Sequence, residues 1–152
     1  HKPAGQERHT TNAAAYKQRM QALDTGVRSA LDAIPAGRRV LVSFHGAFTY
    51  LARDYGLDEA YLWPVNNESQ VTPKRMARLI HTVRDRQIPA IFCESTVSDK
   101  AQRQVAAESG ARFGGTFYVD SLSAAEGPAP TLLDLQRHNV ALLIDGLASD
   151  TK

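Results

Sequence analysis

Val40-Leu41-Val42-Ser43-Phe44 follows two arginines and runs directly into His45-Gly46. Four of these five side chains are large and apolar, two are β-branched, and none alternates with a charge. That is the signature of a strand covered on both faces. The same pattern recurs downstream. Tyr61-Leu62-Trp63 reads as a second strand, ended by Pro64; Pro89-Ala90-Ile91-Phe92-Cys93 as a third; Thr116-Phe117-Tyr118-Val119 as a fourth. Helical patterns separate them. Ala47 to Tyr55 puts Phe48, Leu51 and Tyr55 on one face and stops at Gly56. Thr72-Pro73 is an N-cap with proline at the first helical position, and Met76, Leu79, Ile80 and Val83 then line one side to about Arg86. Ser98 caps a helix carrying Ala101, Val105 and Ala106 that closes at Gly110. A surface loop from Ser123 to Pro130 leads into a Leu-dense helix from Thr131 to Leu147.

On the N-terminal side, Tyr16, Met20, Leu23, Val27, Leu31 and Ile34 fall on one stripe of a helix that starts at Asn12 and is stopped by Pro35-Ala36-Gly37. Strands alternating with helices predict an α/β fold. The expectation is a three-layer α/β/α sandwich on a four-stranded parallel sheet, preceded by a long N-terminal helix. The divisions are a polar lead at 1–11 of the kind that cloning leaves, a long helix at 12–36, and an α/β unit at 37–152.

Composition narrows the function. The 152 residues are 43 % hydrophobic and 22 % charged, which suits a packed core. A net charge of +2, from 18 basic and 16 acidic residues, gives no reason to expect nucleic acid as partner. No apolar run is long enough to span a bilayer, and the polar opening is not a signal peptide. The one cysteine, Cys93, excludes an internal disulfide and a cysteine-based zinc cluster.

Ligands of open parallel sheets bind beyond the carboxyl ends of the strands. The first strand delivers His45 there, the third Glu94 with Ser95 and Thr96, the fourth Asp120 with Ser121; the second delivers Pro64, Asn66, Asn67 and Glu68. A His, a Glu and an Asp on one rim suit a divalent cation, and equally acid–base chemistry or the capping of the next helix. His81 and His138 lie within helices and read as surface or half-buried. His1 and His9 belong to the polar lead, Cys93 to a buried strand, Gly114-Gly115 to a turn, and Trp63 to the core or rim.

These residues together resemble a known family. Ser43-Phe44-His45-Gly46-Ala47-Phe48, then Leu51 and Tyr55-Gly56-Leu57, looks like a ligand motif of the TroA-like and PsaA-like solute-binding proteins, the receptors of zinc, manganese and iron ABC importers. The likeness continues through Trp63-Pro64-Val65-Asn66, Glu68, Thr72-Pro73, Ile88 to Ser95, Gly110-Ala111-Arg112 and Tyr118 to Leu122. The helix 12–36 resembles the spine that joins that family's two lobes. The resemblance implies a non-enzymatic metal-capture module: the spine plus the C-terminal lobe of a periplasmic or lipoprotein receptor. It implies His45 and Asp120 as metal ligands, with Glu94 supporting them or joining them. Two further histidine ligands come from the family's N-terminal lobe, which nothing in 1–11 resembles. Half a metal site is therefore expected, with weak or no affinity for zinc, manganese or iron. The implied partners are the metal ion, the N-terminal lobe and the transporter permease.

Two rivals stand beside it. One is a hydrolase-like enzyme with His45 as base, Asp120 or Glu94 orienting it, and Ser95 or Ser121 as nucleophile; it lacks a Gly-x-Ser-x-Gly elbow. The other is an adhesin-type interaction module. The apolar stripe of the long helix further predicts that Ala13, Tyr16 and Met20 are exposed or buried against a second copy of the chain.

Overall fold

The structure, a computed structural model, describes residues 3–64 and 71–149. The element order is α1 (Pro3–Asp32), a short 3-10 turn at Ala36–Arg38, β1 (Val40–His45), α2 (Thr49–Tyr55), β2 (Asp58–Trp63), α3 (Pro73–Asp85), β3 (Ala90–Glu94), α4 (Lys100–Ser109), β4 (Arg112–Phe117) and α5 (Leu132–Ala148). Val65, Asn66, Asn67 and Glu68, which the sequence sets beside the second strand, lie outside the described residues.

All strand pairing is parallel. β1 pairs with β2 from Val40↔Asp58 to His45↔Trp63, and β3 with β4 from Ala90↔Arg112 to Glu94↔Phe117. β1 lies alongside β3, giving the spatial order β2-β1-β3-β4. The expected four-stranded sheet is thus two hydrogen-bonded pairs set side by side.

Alternation along the strands builds a core on each face. Leu41, Ala90 and Phe92 join Val27, Leu31 and Ile34 of the α1 end, Ala52 and Leu57 around α2, and Leu143 and Leu147 of α5. Val40, Val42 and Ile91 join Leu79, Ile80 and Val83 of α3 and Val105 and Ala106 of α4. Helices therefore cover both faces, and the three-layer α/β/α sandwich is as expected.

Four sequence expectations move. First, α1 begins at Pro3, so 3–11 is helix and not a separate lead. Pro3 suits a first turn, and Gln6, Glu7 and Arg8 are good helix formers. Second, β2 begins at Asp58. Its polar first half is tolerable because, among the described residues, β2 is an edge strand paired with β1 alone. Third, β4 runs over Arg112–Phe117, so Gly114-Gly115 lie within a strand and not in a turn. A Cβ on Gly114 would sit 2.4 Å from the Phe92 ring, and Gly115 has φ +130°, so the ring and a bulge opposite Phe92 require both glycines. Fourth, Asp99 and not Ser98 is the residue before α4, although the Ser98 hydroxyl still accepts from the Lys100 amide at 3.5 Å. Thr72 caps α3 as its sequence predicts, and Thr131, read from the sequence as the start of the last helix, is the residue that caps α5.

Candidate metal centre

Between β1 and β3 the chain's connections reverse direction. β1 leads through α2 outward to β2, whereas β3 leads through α4 the other way to β4. Such a reversal opens a crevice beyond the carboxyl strand ends. His45 ends β1 and Glu94 ends β3, so these two stand at the crevice itself.

Glu94 is 1 % exposed. Its carboxylate accepts from the amides of His45 at 2.9 Å and Phe44 at 3.2 Å. A β3 side chain thus joins β1 where the two strands share no backbone ladder. Burial pushes the Glu94 carboxyl above the ordinary carboxylate range, and the amides of His45 and Phe44 draw it back. The next link is on the other side of the same residue: the buried Ser43 hydroxyl donates to the His45 carbonyl at 2.7 Å. Gly46 N–H then bonds Trp63 O at 2.8 Å. A Cβ on Gly46 would fall 2.7 Å from the half-exposed Tyr61 ring, which would have to shift to admit a side chain there. His45 itself is half-buried, its ring edge-on to Phe44.

Glu59, on β2, completes the support. Its carboxylate accepts from the Phe48 amide and the Thr49 hydroxyl, both at 2.9 Å, which caps the start of α2. Sequence reading passed over Glu59 because an acidic residue in an edge strand looks like solvent-facing polarity. Its only signal is the lack of a capping side chain at Phe48.

Asp120 arrives differently. The fourth strand ends at Phe117, so Asp120 lies three residues beyond it and is exposed. The last β3–β4 ladder bond runs from Ser95 N–H to Phe117 O at 2.8 Å. His45 and Glu94 are in contact; among the described hydrogen bonds none joins Asp120 to either. Among the described residues there is no group of three or more His, Cys, Asp or Glu side chains suited to hold a metal ion. Ser95 and Ser121 are exposed, and no hydrogen bond among the described residues links either hydroxyl to the His45 ring. His81 is exposed, and His138 is half-buried with Nε2 at 3.1 Å from the Thr116 carbonyl. Cys93 is fully buried, and desolvation pushes its thiol up to about 12.

The model of the family described as zinc-uptake complex component A periplasmic, ZnuA, matches residues 1–146. The chain belongs to the ZnuA family. Similar relatives include the iron-binding protein YfeA of Yersinia pestis, 47 % identical over 96 % of this chain and 47 % of that protein. The manganese-binding lipoprotein MntA of Halalkalibacterium halodurans is 31 % identical over 96 % of this chain and 49 % of its own length. Among solved structures, periplasmic zinc-binding protein TroA from Treponema pallidum superposes with a TM-score of 0.84 at 30 % identity, covering 97 % of this chain and 55 % of its own. A manganese-bound periplasmic metal-binding protein from Candidatus Liberibacter asiaticus gives a TM-score of 0.83 at 36 % identity, covering 95 % and 53 %. This ZnuA-family chain therefore spans about half the length of the relatives it matches. The family resemblance read from the sequence, and the fold it implied, both stand.

Proposed function

We propose that this chain is the C-terminal lobe, with its spine helix, of a periplasmic or lipoprotein receptor that hands zinc, manganese or iron to an ABC importer. The placing of His45 at the strand reversal carries the reading, supported by likeness to receptors named for zinc, manganese and iron. His45 and Asp120 are the metal-ligating residues in it. Neutral imidazole nitrogen and carboxylate oxygen suit these borderline divalent ions, and a carboxylate also offsets the ion's charge. Glu94 acts on His45 through the backbone, which leaves its oxygens engaged and the ring free. The remaining ligands come from the receptor's N-terminal lobe, and water takes their places on this lobe alone.

Binding rather than catalysis is the role we infer, since neither Ser95 nor Ser121 is set for attack with His45 as base. The other partners in this reading are the transporter permease and, for the isolated lobe, a second copy meeting along the exposed part of α1. Ala13 and Tyr16 are exposed there, while Met20 is half-buried. Sedimentation velocity at micromolar concentration is expected to show a dimer that Tyr16→Glu disperses; a monomer at every concentration rejects that contact.

Zinc titration of the full chain tests the site. With two protein ligands the dissociation constant is expected at about 1 µM or weaker. His45→Ala abolishes binding, Asp120→Ala weakens it at least tenfold, and His81→Ala leaves it unchanged. All variants carry His1→Ala and His9→Ala, so that these N-terminal imidazoles contribute nothing to the titration. Retained binding after both His45→Ala and Asp120→Ala rejects the ligand assignment.

A further inference from the structure

We propose that Asn139, on α5, is a positioning residue for Asp120: its carboxamide stands in for a neighbouring strand at Tyr118 and fixes the course of the chain from β4 to the ligand. The proposal rests on the metal reading above, and assigns to it a residue that touches no metal.

β4 is an edge strand, and successive residues of a strand turn their N–H and C=O groups to opposite edges. Phe117 faces β3, through the bond from Ser95 N–H to Phe117 O. Thr116 and Tyr118 therefore face outward, where no strand follows. Two adjacent side chains of α5 occupy that edge. The His138 Nε2–H donates to the Thr116 carbonyl at 3.1 Å, which only accepts, and the imidazole lies edge-on to the Tyr118 ring at 5.5 Å. Asn139 then takes both backbone groups of Tyr118. Its Oδ1 accepts from the Tyr118 N–H at 2.9 Å, and its Nδ2 donates to the Tyr118 carbonyl at 2.7 Å.

This two-point pairing falls on the first residue after β4 ends, where the ladder to β3 has run out. A second anchor closes the other side of Asp120. Ser123 N–H bonds Ala129 O, and the Ser123 hydroxyl accepts from Ala129 N–H, both at 2.9 Å, with Ala129 fully buried. Asp120 thus lies in a four-residue span, 119–122, held at Tyr118 and at Ser123. The Ser123 anchor is local to its own loop. Among the described residues, Asn139 supplies the hydrogen bonds that tie this stretch to α5, which packs on β3, β4 and α1, and Val119 adds apolar packing against the same core. A preorganised ligand loses less freedom when the ion arrives, so loosening Tyr118 weakens the site without removing a ligand.

Two measurements on the full chain test this together, with His1→Ala and His9→Ala as background. In metal-free protein, Asn139→Ala is expected to speed amide exchange at Tyr118 at least tenfold. Exchange at Ile91 and Phe92, in the core, stays as it was. Asn139→Asp, which keeps the acceptor and loses the donor, gives an intermediate rate and guards against a fold failure in the alanine variant. In zinc titration, Asn139→Ala is expected to weaken affinity about tenfold when Asp120 is present and to add nothing in an Asp120→Ala background. Unchanged exchange at Tyr118, or losses that multiply across the two variants, overturns the proposal. Zinc affinity indifferent to Asp120→Ala overturns the metal reading itself, and Tyr118 exchange still reports separately on the clamp.

Discussion

At the scale of single residues, the chain is governed by what one aromatic ring and one carboxylate demand of their neighbours. Phe92 is fully buried and stacks on Phe117 with centroids 4.5 Å apart. Gly114 and Gly146 both lie against its ring, where an added Cβ would come within 2.4 Å and 2.5 Å. Gly114→Ala or Gly146→Ala is therefore expected to cost about 1–3 kcal/mol through overpacking, read from denaturant midpoints. Glu94 binds two amides on the far side of a strand junction. Glu94→Ala leaves the Phe44 and His45 N–H groups without their acceptor and is expected to cost about 1–3 kcal/mol, with Glu94→Gln milder. Cys93 gives a kinetic prediction. With the thiol pushed up to about 12 by burial, almost none is thiolate at pH 8. Labelling by a disulfide reagent there should occur only on unfolding, and its rate should follow denaturant concentration. His45 and Glu94 were legible because each directly follows an apolar run. Asn139 and Glu59 were not, since a side chain that bonds another segment's backbone leaves no period in the sequence.

At the scale of elements, α1 shows the contrast between pattern and packing. Its apolar stripe marks a helix correctly, yet only Val27 and Leu31 of it are buried, with Ile34 just beyond; Gln6 to Arg19 are exposed. The stripe predicts a face and not what covers it. Polar contacts reinforce the apolar packing of Leu23, Val27 and Leu31 over the last third of the helix. The Asp24 carboxylate accepts from Arg28 Nε at 3.1 Å and from the Tyr55 hydroxyl at 2.9 Å, and Arg28 also donates to the Asp54 carbonyl. Arg28, then Tyr55, hold the Asp24 carboxyl below its usual range. A depressed acid stabilises the fold above its unfolded value and loses that contribution as pH falls through the folded one. The stability difference between the parent chain and Asp24→Asn is thus expected at neutral pH and to vanish as pH drops below about 4, measured by paired thermal melts. The displaced start of β4 has the same lesson as α1. Arg112 and two glycines look like a turn in isolation, and only the Phe92 ring opposite them explains a strand.

For the whole molecule, alternate strand residues feed two cores, one under α1, α2 and α5, the other under α3 and α4. The strands belong to both, so neither face keeps its partner if the other is lost. Trp63 lies in the second core only, whereas far-UV circular dichroism reports all helices. Coincident urea transitions by the two probes are expected; separated midpoints would show that the layers unfold independently. The layered architecture was readable because continuous apolar strands and capped helices are properties of short windows. The seam between β1 and β3 was not, because it depends on which strands become neighbours. The same holds for Asp120, set beyond its strand by a boundary that the sequence placed too late.

One feature of α1 has a mechanical meaning. The helix is 30 residues long, about 45 Å, and only its final turns are sunk in the lobe. A rod clamped at one end multiplies angle into distance. From Arg19 to Pro3 the projecting arm is about 24 Å, so a tilt of about 7° at the clamp sweeps its end through about 3 Å. Displacements too small to disturb the packing of Val27 and Leu31 become, at the tip, as large as a hydrogen bond is long.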